Sequence, residues 1–162
     1  MTTIRFDDVD GLNAAASEEF GEWGPERVDN KYEGAISARE ALVKSKNAAT
    51  VRLGMMTGLD HVIPLAKAAG IESPLRPFPA TLLGSSEVTL MEMTLANTVF
   101  PDGGTRPDKT FIIQKIEDQA GNVVFEAKPG KVRVMKDTTA YEIHTCLSDV
   151  LERGTADKAY TE

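Results

Sequence analysis

The chain has 162 residues, 41% hydrophobic and 27% charged, with a formal net charge of −7; that length allows one domain with a real core, or a piece of a larger one. The acidic balance, with no Lys/Arg stripe set against it, argues against a nucleic-acid phosphate partner. A single cysteine, Cys146, excludes an internal disulfide and a cysteine metal cluster, and no apolar run reaches the length of a membrane span.

Residues 1–33 read as mostly irregular. The opening residues, polar and acidic after Met1, do not read as a signal peptide. Thr3 to Phe6 is a short strand candidate. The acidic run Asp7, Asp8 and Asp10 lacks the spaced oxygen ligands, glycine and closing Glu of an EF-hand loop and reads as a solvated turn. Trp23, Pro25 and Tyr32 read as residues that pin a loop to the domain body.

The best helix start lies at Ser37, where Ser37 and Glu40 have the spacing of a reciprocal capping box. From there Ala38, Ala41, Leu42 and Ser45 fall on one helical face. Asn47 is placed to cap a second apolar run, Ala48 to Leu53, with Gly54 as its end. Ser45-Lys46-Asn47 then occupies a tight turn between two helices, and functional side chains concentrate in such turns. The structural reading of the triplet is a hydroxyl finishing one helix and an amide capping the next. The chemical reading is a hydroxyl and an amide presented together to a ligand.

Asp60 is expected to cap a helix running to Ala69 with Gly70 beyond it, and Pro64 one turn in. His61 near its start and His144 far away read as surface residues, because no second His or Cys stands at ligand spacing. The prolines of residues 71–87 predict an ordered loop. Thr89 and Glu92 form a second capping box, opening a helix to about Phe100 that stops at Pro101-Asp102-Gly103-Gly104. Thr110 to Glu117 and Val123 to Phe125 predict a hairpin with a loop longer than two residues, and Val132 and Val134 suggest a further strand. A last helix is expected from Asp137 or Thr138 to about Arg153, ended by Gly154, with Cys146 on its packed face as a small core residue. The predicted class is α+β: a mostly helical body with a small β-hairpin insert.

Read together, several blocks resemble the transpeptidase domain of penicillin-binding proteins, particularly the class A kind fused to a glycosyltransferase. They are WGPERVDNKYEG, ISAREALVKSKNAATVRL, GLDHVIPLAKAAGI, LLGSSEVTLMEM, IIQKIEDQAGNVVFEA and LSDVLERGTA, covering about Trp23 to Ala156. Their number, order and spacing carry the resemblance. It implies the central, mostly helical part of the fold shared by these transpeptidases and the serine β-lactamases. Of the superfamily's signatures, Ser-x-x-Lys, a Ser-Asp-Asn type triplet and Lys-Thr-Gly, only the middle one is present. No serine is followed by Lys at the third position, and Lys109-Thr110 continues with Phe111. Residues 1–162 are thus expected to be a partial domain, without the flanking nucleophile and Lys-Thr-Gly segments. Arg27 and Val28 stand where the family often has Asn and Tyr.

The resemblance further implies a peptidoglycan D,D-transpeptidase that forms a serine acyl-enzyme with stem peptides and is acylated by β-lactams. Ser45 would match the triplet serine, relaying a proton to the leaving amine, and Asn47 the substrate-binding amide. Lys46 falls at the variable position. No cofactor and no metal is implied. The parent protein would be membrane-anchored, with this domain on the extracytoplasmic, periplasmic side. The alternative is a catalytically empty relative that binds peptidoglycan or a protein partner on the same scaffold.

Overall fold

A computed structural model describes residues 3–4 and 35–160. The chain first forms β1 (Thr3–Ile4), which pairs antiparallel with β2 (Ile36–Ser37), Thr3 opposite Ser37. Phe6, the acidic run and the aromatics Trp23 and Tyr32 lie outside the described residues. Three helices follow: α1 (Ala38–Val43), α2 (Asn47–Thr57) and α3 (Leu59–Ala69). A 3-10 turn (Pro79–Leu83) lies in the proline-rich loop and leads to α4 (Leu90–Asn97). β3 (Thr105–Pro107) pairs antiparallel with β6 (Lys131–Arg133), and between them β4 (Lys115–Glu117) and β5 (Val123–Glu126) make the hairpin. The chain ends with α5 (Asp137–Arg153) and a 3-10 turn (Asp157–Tyr160).

Among the described residues the largest fully buried side chains are Val43, Val51 and Val99, each stabilising the fold by about 1.5–3 kcal/mol through burial. Ala41 and Ala49 pack together with Ile36 and Leu53 around them, so the end of α1 and the start of α2 share a core. Gly54 does not end α2. It lies inside the helix, buried, and a Cβ there would stand 2.5 Å from Leu82 Cδ1 and Cδ2. The residue is small because the 3-10 turn packs directly on this face, a tertiary demand that imitates a helix stop signal in sequence. The helix breaks instead at Gly58, with φ 91°. Gly70 ends α3 in the left-handed region, as its place in the sequence predicts, and its N–H donates to the Ala66 and Lys67 carbonyls.

Both halves of the Thr89–Glu92 box form. The Glu92 carboxylate also accepts from the Glu72 and Ser73 backbone N–H groups at 2.8 and 2.6 Å and from the Ser73 hydroxyl at 2.8 Å. It therefore ties the loop after α3 to the start of α4. These donors, the Thr89 N–H foremost, hold its pKa down at about 2. The helix stops at Asn97 rather than near Phe100, because the following residues tighten into turns that bury Val99.

The hairpin has the expected long loop. Asp118 accepts from the Ala120 and Asn122 N–H groups and the Asn122 side chain, all at 2.9 Å. Residues 110–113 are not strand, and Phe111, Ile112 and Ile113 are exposed. Among the described residues no helix is long and apolar enough to cross a membrane.

Candidate active site

The Ser45–Asn47 turn is built by hydrogen bonds on both sides. Ser37 starts α1, its Oγ accepting from the Glu40 N–H at 3.1 Å. The other arm of the expected box is absent: the Glu40 carboxylate pairs with Arg153 Nη1 at 2.7 Å, a tertiary ion pair that outcompetes the local bond. α1 ends at Val43 in a Schellman motif, with the Ser45 N–H donating to the Leu42 carbonyl at 3.1 Å and the Lys46 N–H to the Ala41 carbonyl at 2.8 Å. This motif needs a left-handed residue, and Ser45 supplies it with φ 52°, the one non-glycine with positive φ among the described residues. On the far side the Lys46 carbonyl accepts from both the Thr50 N–H and the Thr50 hydroxyl at 3.0 Å.

This geometry corrects three sequence expectations. Ser45 does not lie on the buried stripe of α1: the helix is already over, and Ser45 is exposed. Val43 takes the buried place, while Leu42 is exposed. Asn47 is not the cap of α2 but its first helical residue; Lys46 is the cap, with no side-chain bond to the helix. The structural reading of the triplet is thereby weakened in both its halves. Within the described residues neither the Ser45 hydroxyl nor the half-buried Asn47 amide makes a hydrogen bond. The turn thus presents one donor-acceptor hydroxyl and one amide that both donates and accepts. No acidic residue occupies the first turn of α2, so the partial positive charge of that helix end stays uncompensated beside them.

The end of α5 closes on the same turn. Lys44 Nζ donates to the Arg153 carbonyl at 2.5 Å, and the Thr155 N–H donates to the Val43 carbonyl at 3.3 Å. Arg153 holds Asp149 Oδ2 through Nη2 at 2.7 Å besides its bond to Glu40. Those carboxylates, Glu40 first, push its pKa up and keep it charged. Arg39 joins α1 to α5 at the other end, with Nη2 donating to the Thr145 hydroxyl at 2.7 Å and Nε in an ion pair with Asp149 at 3.2 Å. The Asp149–Arg153 pair is legible as an i, i+4 spacing, whereas its link to Glu40 spans 113 positions and leaves no local signal. His61 is an exposed surface residue, as expected, 3.2 Å from Asp60. His144 is exposed as well, and Cys146 is half-buried on α5.

The elements packed chiefly against α1 are α2, α5 and β2, and the β4–β5 hairpin is not one of them. Among the described residues no group of His, Cys, Asp and Glu is arranged to hold a metal ion.

No protein-family model matches the chain. It is 33% identical over 136 residues to penicillin-binding protein 1B of Haemophilus influenzae, covering 83% of this chain and 17% of that protein. It is 36% identical over 139 residues to penicillin-binding protein 1A of Aquifex aeolicus, covering 85% of this chain and 19% of the relative. The chain thus spans about a fifth of the length of these curated relatives. Among solved structures, the D,D-transpeptidase domain of a peptidoglycan glycosyltransferase from Eggerthella lenta superposes with a TM-score of 0.70 at 19% identity, covering 86% of this chain and 42% of that one. Penicillin-binding protein A of M. tuberculosis, solved as an imipenem acyl-enzyme complex, superposes with a TM-score of 0.64 at 22% identity, covering 75% of this chain and 32% of that one. In sequence the chain is a homologue of one stretch of the class A penicillin-binding proteins, and its α+β fold is that seen in part of the penicillin-binding transpeptidase domains it superposes on.

Proposed function

We propose that this chain supplies the central part of a serine-type peptidoglycan D,D-transpeptidase, with Ser45 and Asn47 lining its acylation site. The observation that carries the reading is the Ser45 turn itself: an exposed serine held at φ 52° beside an amide, with neither side chain hydrogen-bonded within the described residues. Backbone strain at an exposed polar residue fits a functional position better than a structural one. The names of the homologues and of the imipenem-acylated fold neighbour support that reaction class.

In this reading a nucleophilic serine, in a Ser-x-x-Lys segment before these residues, attacks the carbonyl of the D-Ala-D-Ala bond of a stem peptide. The Ser45 hydroxyl passes a proton to the departing amine nitrogen as the C–N bond breaks, which makes a poor leaving group competent. The Asn47 side chain donates to a carbonyl and accepts from an N–H of the peptide, orienting the scissile bond. A Lys-Thr-Gly segment after Ala156 completes the site. An amine from a neighbouring strand then takes the acyl group. β-Lactams enter through the same acylation, with a ring amide as the bond that opens. The parent protein is membrane-anchored and carries this domain on the extracytoplasmic side.

A labelled penicillin tests the reading by mass shift. The 162-residue chain alone is expected to take up none, because its sequence holds no Ser-x-x-Lys nucleophile segment. The parent protein is expected to take up one equivalent. There Ser45→Ala and Asn47→Ala are expected to slow acylation on the order of 10²-fold. A parent protein that acylates at the wild-type rate with both changes in place would remove Ser45 and Asn47 from the site, and one that never acylates would remove the enzyme.

A further inference from the structure

We propose that Arg153, Gly154 and Thr155, at the corner where α5 ends, are positioning residues for the Ser45 turn, a role that rests on the acylation site just described. A serine in the left-handed region costs about 1–2 kcal/mol relative to ordinary backbone, and such a conformation persists only where its surroundings over-determine it. The Schellman bonds and Thr50 hold the turn from within its own two helices. Among the described residues, the α5 corner is the non-local element that hydrogen-bonds the two residues immediately before Ser45.

It does so through separate contacts. The Val43 carbonyl, at the last residue of α1, accepts from the Thr155 N–H. The Lys44 ammonium donates to the Arg153 carbonyl. The Arg153 guanidinium in turn holds Glu40, one turn earlier, and Asp149 on its own helix. Gly154 lets the two chains come this close: a Cβ on it would lie 2.5 Å from the Val43 carbonyl oxygen and 2.6 Å from Val150 Cα. Both obstacles are backbone: relieving the first moves α1 away from the corner at the residue pair that leads into Ser45, and relieving the second distorts the end of α5 that makes the corner. Arg39 provides an internal contrast. It also joins α1 to α5, through Thr145 and the Asp149 that Arg153 shares, but nothing at its own position on α5 hydrogen-bonds Val43 or Lys44. If joining the helices were all that mattered, both arginines would act alike.

The test compares Lys44→Met, Arg153→Met, Gly154→Ala and Arg39→Met in two measurements. In the 162-residue chain, backbone J couplings and Cα shifts report whether Ser45 keeps its positive φ. In the parent protein, penicillin acylation reports the consequence. The first three changes are expected to move Ser45 out of the left-handed region and to slow the acylation step about tenfold at saturating penicillin, with binding little affected. Arg39→Met is expected to lower the melting temperature while leaving both the Ser45 signature and the rate unchanged. Retention of the signature with rates within twofold of wild type overturns the proposal. So does a shifted Ser45 with unimpaired acylation, or an Arg39→Met that mimics Arg153→Met. Lys44 is exposed, so its variant decides if the others fail to fold. A wild-type parent that takes up no penicillin overturns the enzyme reading alone, and the Ser45 signature still decides whether the corner holds the turn.

Discussion

At the scale of single residues, Ser45 sets stability against chemistry. The Schellman end of α1 asks for glycine, and a serine stands there with φ 52°. Ser45→Gly is therefore expected to stabilise the chain by about 0.5–1 kcal/mol in denaturant unfolding, the relief of strain being partly offset by the greater freedom of the unfolded glycine. In the parent protein the same change removes the hydroxyl and is expected to cripple acylation. A loss of stability on Ser45→Gly would show that the hydroxyl serves the fold. Asn47 makes the complementary case. Because it is neither the cap of α2 nor hydrogen-bonded within the described residues, Asn47→Ala is expected to leave unfolding free energy within about 0.5 kcal/mol of wild type. A drop of a full cap's worth, about 1 kcal/mol, would restore the capping role that its sequence position suggests.

At the scale of elements, Glu92 joins the loop after α3 to α4 through donors from Glu72, Ser73 and Thr89. Its pKa lies at about 2 against an ordinary 4.5. The folded state thus binds this proton less tightly than the unfolded state. The resulting stabilisation is full above pH 4.5 and disappears as pH falls through that value toward 2. Glu92→Gln is expected to lower stability at pH 7 and to flatten the acid limb between pH 4.5 and 2. A Glu92→Gln protein whose acid limb runs parallel to wild type would show that other carboxylates govern it.

At the scale of the whole molecule, the described residues leave one large apolar face uncovered, around α4 and the hairpin. Leu90 is 83% exposed, Ile112 94% and Val124 67%, and Met91, Phe111, Ile113, Ile116 and Phe125 line an open groove beside them. Side chains this exposed contribute little burial energy to the chain, and contiguous apolar surface of this kind is characteristic of contact surfaces. Ile112→Asp and Val124→Lys are expected to change the melting temperature by no more than about 2 °C while reducing binding of a hydrophobic dye. A large fall in melting temperature would mean that these residues pack against the body in solution.

Local chemistry alone determined much of this protein. The Thr89 box, the Gly70 helix end, the long hairpin loop and the span of α5 each depend on residues a few positions apart, so the sequence carries them openly. The Ser-Lys-Asn triplet was legible in the same way, as was the α+β class. Only tertiary structure decided what happens where a local signal meets a distant partner. Arg153 draws Glu40 away from its expected bond to Ser37, the Leu82 side chain makes Gly54 a packing residue instead of a helix stop, and the α5 corner meets the end of α1 beside Ser45. In each case the deciding group lies tens of residues away in the chain, and its interaction exists only once the fold has brought the two together.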